Sequence, residues 1–202
     1  ESAILEGIAS LARRSGRIPL GRAYPLAQEI IRTIKGVKGV VEAEPAGSLR
    51  RMRSTVGDLD ILVAAKDSSA VMDAFVNLKG VSRVLGKGET KSSIEFTDGV
   101  RAQVWVHPPE KFGTALQYAT GSKDHNVQLR QIALAQGLSL SEHSFTKGKK
   151  EIFCATEEEV YETLGLPWIS PELREDRGEI QAAHSGGGPC RRREPASPDP
   201  HR

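Results

Sequence analysis

Two rhythms of apolar residues alternate along the first half of the chain. Ile4, Leu5, Ile8, Leu11 and Ala12 recur at helical spacing, so the segment from Glu1 to about Arg17 reads as a helix. Leu26, Ile30 and Ile34 give one apolar face to a second helix, from about Tyr24 to Lys35, with Pro25 near its first turn and Gly36 and Gly39 beyond its end. Val40 to Ala46 is a short strand that delivers the chain to Gly47-Ser48. Leu59 to Ala65 is a second strand with a β-branched, aliphatic centre. Asp67-Ser68-Ser69 caps a helix whose stripe is Val71, Phe75 and Leu78. From Val81 to Val106 the pattern is that of antiparallel strands, with turn residues at Gly86, Gly88 and Asp98-Gly99. Val100, Ala102, Val104 and Val106 form the buried face of the last of these, which turns Arg101, Gln103 and Trp105 the other way. Pro108-Pro109 then marks a boundary.

Beyond the prolines the character changes. Glu110 to Ala119 and Lys123 to Gln136 are helical, separated by Thr120-Gly121-Ser122. A small hairpin follows, Ser139 to Phe145 and Glu151 to Phe153, turning at Lys147-Gly148-Lys149-Lys150. Glu157 to Leu164 is a last helix, ended by Gly165 and Pro167. From about His184 the chain has no periodicity and almost no apolar side chains, the composition of a disordered tail. The pattern predicts two ordered lobes, α+β and then mixed α/β.

Composition adds mainly exclusions. At 202 residues, with 38% hydrophobic and 27% charged residues, the chain is of ordinary globular type. It has no apolar run of transmembrane length and no signal-peptide pattern. It opens on Glu1 rather than Met, as a fragment of a longer protein would. Cys154 and Cys190 make neither a disulfide framework nor a metal-ligand spacing, which fits a reducing cytoplasm. A net charge of +2 does not by itself argue for nucleic acid, so the local distribution of charge matters more.

That distribution is unusual in "GSLRRMRSTVGDLDILV", residues 47–63. Asp58 and Asp60 stand two apart at the mouth of a buried strand, where residues i and i+2 share a face. Two adjacent carboxylates repel unless a cation sits between them, and a hard divalent ion such as Mg²⁺ takes such oxygen ligands together with substrate phosphates. Pairing with arginines or with water is the alternative. Gly47 allows close backbone approach, and Arg50, Arg51 and Arg53 offer guanidinium forks suited to phosphate oxygens. Anion donors and metal ligands within a dozen residues are the parts of a phosphoryl- or nucleotidyl-transfer site.

The stretch resembles the G-S-x-R-R…G-D-x-D signature of the X-family DNA polymerases, the group of DNA polymerase beta and terminal transferase. "LQYATGSKDHNVQLR", residues 116–130, is similar to the family's Y-F-T-G-S…N…R nucleotide-selection segment. "ETLGLPWISPELRED", residues 162–176, resembles the end of the same lobe, most of all in bacterial members.

The resemblance implies an α+β fold: a nucleotidyltransferase-type palm, a mixed or antiparallel sheet with helices on one face, followed by a small α/β thumb lobe. Residues 1–21 would be an N-terminal helical segment at the end of the fingers region, 22–108 the palm, 109–177 the thumb and 178–202 the disordered tail. Asp58 and Asp60 would hold the metal, Mg²⁺ or Mn²⁺, that carries the incoming dNTP. Gly47, Ser48, Arg51 and Arg17 would serve its phosphates, and Tyr118, Gly121 and Ser122 would lie along its sugar. Asn126 would reach the minor-groove edge of the new base pair, and Arg130 the template strand. The implied activity is DNA-directed DNA polymerisation onto a primer 3′-hydroxyl in short-gap DNA repair. The partners are primer-template or gapped DNA and no membrane. The protein would be a monomer in a bacterial-type cytoplasm, associated with the nucleoid.

Two departures qualify this. Ala119 stands where the family pattern has Phe, in the segment that crowds the ribose. Bacterial relatives carry V-D-L-R-V-V-P-P before the second lobe, and alignment on Pro108-Pro109 puts Gln103 at the aspartate, the family's third catalytic carboxylate. An amide ligates metal weakly and accepts no proton near neutral pH. The catalytic-metal site is therefore expected to be weakened, with a preference for Mn²⁺, and Glu95 on a neighbouring strand is the substitute carboxylate. A catalytically impaired nucleotide- and DNA-binding module, or a non-polymerising nucleotidyltransferase, is the alternative reading. The helix-hairpin-helix and phosphoesterase domains usual in relatives do not fit in this chain, so DNA affinity is expected to be low and strongly salt-dependent.

Overall fold

A five-stranded mixed sheet organises the first lobe. The computed structural model describes residues 16–185. The helix expected from Glu1, up to residue 15, and the tail from residue 186 lie outside them. β1 (Ile18–Pro19) pairs with β3 (Thr55–Val56). The sheet itself contains β2 (Val40–Pro45), β4 (Leu59–Ala65), β5 (Val81–Lys87), β6 (Lys91–Phe96) and β7 (Arg101–His107), in the order β2-β4-β7-β6-β5. All neighbours are antiparallel except β4 and β7, which run parallel. α1 (Leu20–Lys35) and α3 (Ser69–Val76) cover one face, where Ile61 and Val63 of β4 meet Ala102 and Val104 of β7 and Ile30 and Ile34 of α1.

α1 starts at Leu20, four residues before the predicted start, so Pro25 lies inside it rather than in its first turn. The bond that proline forfeits is to the carbonyl of Gly21, on an exposed turn that water can satisfy. Burial of Ala23, Ala27, Ile30 and Ile34 along one side holds the helix through the break.

The opposite face of the sheet is only partly covered. α2 (Gly47–Arg50), a single turn, leads from β2 toward β4. A 3-10 turn, Pro109–Lys111, leads into α4 (Phe112–Thr120), which packs Phe112, Ala115 and Leu116 on Leu62 and Ala64 of β4. Helices therefore stand on both faces, with the second face left open beside Asp60.

The second lobe has its own core. α5 (Lys123–Ala135) and α6 (Glu157–Thr163) enclose Leu129, Phe145, Val160 and Tyr161 with a three-stranded sheet. That sheet is β8 (Ser139–Leu140), β9 (Phe145–Lys147) and β10 (Lys150–Ile152), one strand more than the expected hairpin. Ser122 caps α5 by accepting from the His125 amide, and Thr156 and Glu159 form a reciprocal capping box on α6. Residues 178–202, expected as a tail, begin with a helix, α7 (Glu179–His184), after a 3-10 turn at Pro171–Leu173. Ile180 is buried in the core of this lobe, and Glu179 accepts from His125 Nδ1 at 2.7 Å. These two attachments hold the first residues of the stretch assigned to the tail. Among the described residues no helix is long and apolar enough to cross a membrane.

Candidate nucleotide and metal site

The acidic pair stands on the open face. Asp58 precedes β4 and is exposed, while Asp60 lies within it and is half-buried. In the parallel register Asp60 sits beside Gln103, and Leu62 beside Trp105. Val100, Ala102, Val104 and Val106 are buried on the other side, as the alternation required. Gln103 Nε2 donates to Asp58 Oδ2 at 3.4 Å, so the amide turns its N–H, not its oxygen, toward the acids. Glu95 does not fill the gap. It is engaged by Arg101 at 3.0 Å and lies 3.7 Å from Arg83.

The Asp60 carboxyl is pushed up to about 6, by burial first and by the Asp58 charge second, with Lys91 opposing. Gly47 leaves room for it. A Cβ at Gly47, whose φ is +58°, would stand 2.7 Å from Asp60 Oδ2. The Asp60 carbonyl accepts from the Ala46 amide at 2.8 Å, which fixes the turn against the strand. A carboxylate pair with raised proton affinity at Asp60, beside a position cleared of side chain, fits a hard divalent cation taking oxygen ligands.

A cavity of about 320 Å³ opens next to Asp60, and Arg51, Tyr118, Gly121, Asn126 and Arg130 all line it. Residues named from two separate stretches of sequence, 47–63 and 116–130, thus converge. Ser48 stands in α2 next to Gly47. Ser122 lies at the α5 cap, and Arg17 holds Thr55, bonding its Oγ1 at 2.9 Å, rather than lining the cavity. Asn126 is not free to reach outward: its amide donates to the Tyr118 carbonyl at 2.7 Å and accepts from Gln117 Nε2 at 2.8 Å. Arg130 is exposed, with its Nε on the Asn126 carbonyl.

The arginine cluster departs most from expectation. Arg50 makes a two-pronged pair with Glu157 at 2.8 and 2.7 Å and also donates to Thr120 Oγ1. Arg51 donates to the Thr120 carbonyl at 2.6 Å and to Glu175 at 2.8 Å, and Arg53 lies 3.6 Å from the same carboxylate. Guanidinium groups expected on phosphates therefore tie the two lobes together. Glu157 also receives the fully buried Arg174 at 2.5 Å. Arg174 and Arg50 hold the Glu157 carboxyl down near 2 despite burial, which alone would raise it. Glu157, Arg174 and Glu175 carried no functional signal in sequence, since a Glu-rich helix start and a terminal R-E-D read as capping and surface charge.

A larger cavity of about 780 Å³ is lined in part by Arg50. Its walls include Glu42, Glu44, Glu157 and Glu158, and burial and Glu44 raise the Glu42 carboxyl. Such walls repel an anion, so the smaller cavity, with Arg51, Lys123 and Arg130 around one carboxylate, is the candidate phosphate site.

Comparison with known proteins agrees. The family described as DNA polymerase beta palm matches residues 17–100, and that described as DNA polymerase beta thumb matches residues 115–175. The chain belongs to the X family of DNA polymerases. It is 34% identical over 186 residues to the DNA polymerase/3′-5′ exonuclease PolX of Bacillus subtilis (strain 168), covering 90% of this chain and 32% of that protein. It is 25% identical over 197 residues to DNA polymerase lambda of Rattus norvegicus, covering 79% of the chain and 33% of the relative. The chain thus spans about a third of the length of these X-family relatives. The two matches divide the chain where the fold does, with the sheet of β2 and β4–β7 falling largely in the palm and α4–α6 in the thumb.

Proposed function

We propose that the chain transfers a nucleotidyl group from a dNTP to the 3′-hydroxyl of a DNA primer, as the template-directed step of short-gap repair. One observation supports this reading most: Asp60, of the Asp58/Asp60 pair, lines the same cavity as Arg51, Tyr118, Gly121, Asn126 and Arg130. Asp58 and Asp60 would hold Mg²⁺ or Mn²⁺ with the triphosphate. The bound ion would supply charge neutralisation on the phosphates and polarise them for attack. Gly47 clears space at Asp60, Ser48 would offer a hydroxyl from the same turn, and Arg51, already held by Glu175 and the Thr120 carbonyl, would turn only its remaining N–H toward the phosphates. Tyr118, near the end of α4, and the Gly121-Ser122 turn that follows would lie along the sugar. Asn126, locked between Tyr118 and Gln117, fixes that turn rather than probing freely, and exposed Arg130 is left for the template strand. Arg17 supports the loop before Asp58 through Thr55. The working form is a monomer on gapped DNA in a bacterial cytoplasm.

Gln103 weakens this site. Its amide satisfies Asp58 with a neutral donor where a third carboxylate would add charge for a second ion. Turnover is therefore slow, and faster with Mn²⁺, whose affinity for a depleted ligand set is higher. Primer extension with Mg²⁺ and with Mn²⁺ tests the reading, and no incorporation with either ion despite nucleotide binding would overturn it. The contact from Gln103 to Asp58 favours a second reading, an impaired module that holds nucleotide and DNA without joining them, which that same outcome would support.

A further inference from the structure

Two layers of charge join the lobes, and the outer one reaches the cavity at Asp60. The inner layer is Arg50, Glu157 and Arg174, a buried carboxylate that takes both guanidinium groups. The outer layer is Arg51, Arg53 and Glu175. Arg51 lines the cavity, and its Nε donates to Glu175 Oε1 at 2.8 Å. Arg53 Nε stands 3.6 Å from the same oxygen. One carboxylate oxygen thus faces two arginines, one in contact and one in reserve.

The backbone beside Glu175 is anchored independently of Arg51. Its neighbour Arg174 is fully buried on Glu157 and the Ile169 carbonyl, and the Arg174 carbonyl accepts from the Ser122 amide at 3.0 Å. Arg51 Nη1 is seated as well, on the Thr120 carbonyl at 2.6 Å and so near Gly121 that a Cβ there would stand 3.1 Å away. A guanidinium can offer phosphate a two-pronged fork. Glu175 occupies the Nε side of that fork in Arg51. A triphosphate brings several negative charges against the one on Glu175, and Arg53 already lies within reach of the carboxylate it would displace. Glu157, held by Arg50 and Arg174, keeps the lobes joined through such an exchange.

We infer that Glu175 is a positioning residue that sets the affinity of the cavity for polyphosphate. It holds Arg51 while the cavity is empty and passes to Arg53 when phosphate takes the Arg51 fork. The inference rests on the reading of this cavity as a nucleotide site.

Calorimetric titration of dATP with Mn²⁺ into the full chain, into Glu175→Gln and into Asp176→Asn tests it. Glutamine keeps an oxygen for Arg51 and removes the charge. The expected Kd of Glu175→Gln is roughly three- to tenfold lower than the parent's, the effect of one partly buried ion pair no longer competing. Asp176→Asn removes an equal charge from the next residue, which is exposed, and should leave Kd within about twofold. In the parent, dATP should also slow solvent exchange of the Arg53 Nε–H, read by NMR, as that group takes over the carboxylate. A Glu175→Gln Kd within about twofold of the parent's overturns the inference. So does a higher Kd, which would mean that the carboxylate braces Arg51 for the ligand, as does an equal gain in Asp176→Asn, the mark of net charge alone. Unchanged exchange at Arg53 overturns it without recourse to a variant. If neither parent nor variants bind dATP, the nucleotide reading itself falls and takes this inference with it, a result unlike any of the others.

Discussion

Gln103 stands beside Asp60 in the parallel register of β4 and β7 and donates its side-chain amide to Asp58. The acidic pair is thereby flanked by a neutral donor on the strand where a carboxylate would complete a metal cage. Gln103→Asp replaces that donor with a third negative charge. Without metal the variant is expected to be less stable than the parent by about 1 kcal/mol, as the lost hydrogen bond and added repulsion combine. Millimolar Mn²⁺ should then raise its thermal midpoint more than the parent's. Primer extension by the variant should exceed the parent's by roughly tenfold or more. An unchanged rate would show that another group already serves the second ion.

Gly47→Ala tests the clearance at Asp60. Its φ of +58° disfavours any residue with a Cβ, and the new carbon would meet Asp60 Oδ2 at 2.7 Å. Together these should cost roughly 1–2 kcal/mol in urea unfolding. Mn²⁺ affinity, read by electron paramagnetic resonance of the free ion, should fall because Asp60 must turn aside. Retention of full affinity would remove Gly47 from the site.

Glu157 makes the interlobe tie pH-sensitive. Its carboxyl lies near 2 when folded against an ordinary 4.5, so its contribution is fully present above about pH 5 and is lost as pH falls toward 2. The difference corresponds to about 3 kcal/mol. Glu157→Gln strands Arg50 and Arg174 and should lose about 3–5 kcal/mol at neutral pH. The gap between parent and variant should narrow steadily between about pH 5 and pH 2 in denaturant titrations. A constant gap across that range would mean that the carboxylate charge is not what holds the lobes.

His125 is expected to stay neutral in the folded thumb. Burial lowers its proton affinity below the free-histidine value, and the bond to Glu179 offsets this only in part. Its contribution to stability is therefore present above pH 6.5 and shrinks as pH falls below that value. Histidine ring resonances followed by NMR should show its midpoint below 6.5. Tyr161→Phe, which removes the hydroxyl 2.9 Å from His125 Nε2, should cost about 1 kcal/mol and leave the palm unchanged.

Much of the fold and of the site was legible in the chain itself. The alternation in Val100, Ala102, Val104 and Val106 set which way Gln103 and Trp105 face, because a strand's period of two admits one buried side at a time. The G-S and D-x-D spacing placed the acids at a strand mouth, and the strand runs from Leu59 to Ala65 as its pattern required, with Asp58 just before it. Elsewhere the local pattern points the wrong way or says nothing. Pro25 reads as a helix start, yet α1 runs through it, since burial of one face outweighs a single lost bond on the exposed side. The expected tail gives way to a helix at Glu179, because Ile180 and Glu179 gain their partners, a distant core and His125, only after the chain folds back.

The arginines separate most clearly what is local from what is not. Sequence alone determined that Arg50, Arg51 and Arg53 cluster beside a glycine turn and an acidic pair, because spacing along the chain is local. Which anions they meet was decided only by tertiary structure. Glu157 and Glu175 lie more than a hundred residues away, and the packing of α4 and α6 against the palm brings them within 2.8 Å of Arg50 and Arg51. A guanidinium that answers phosphate equally answers carboxylate. Its partner is set by which acid the fold delivers, and pattern along one chain carries no record of that.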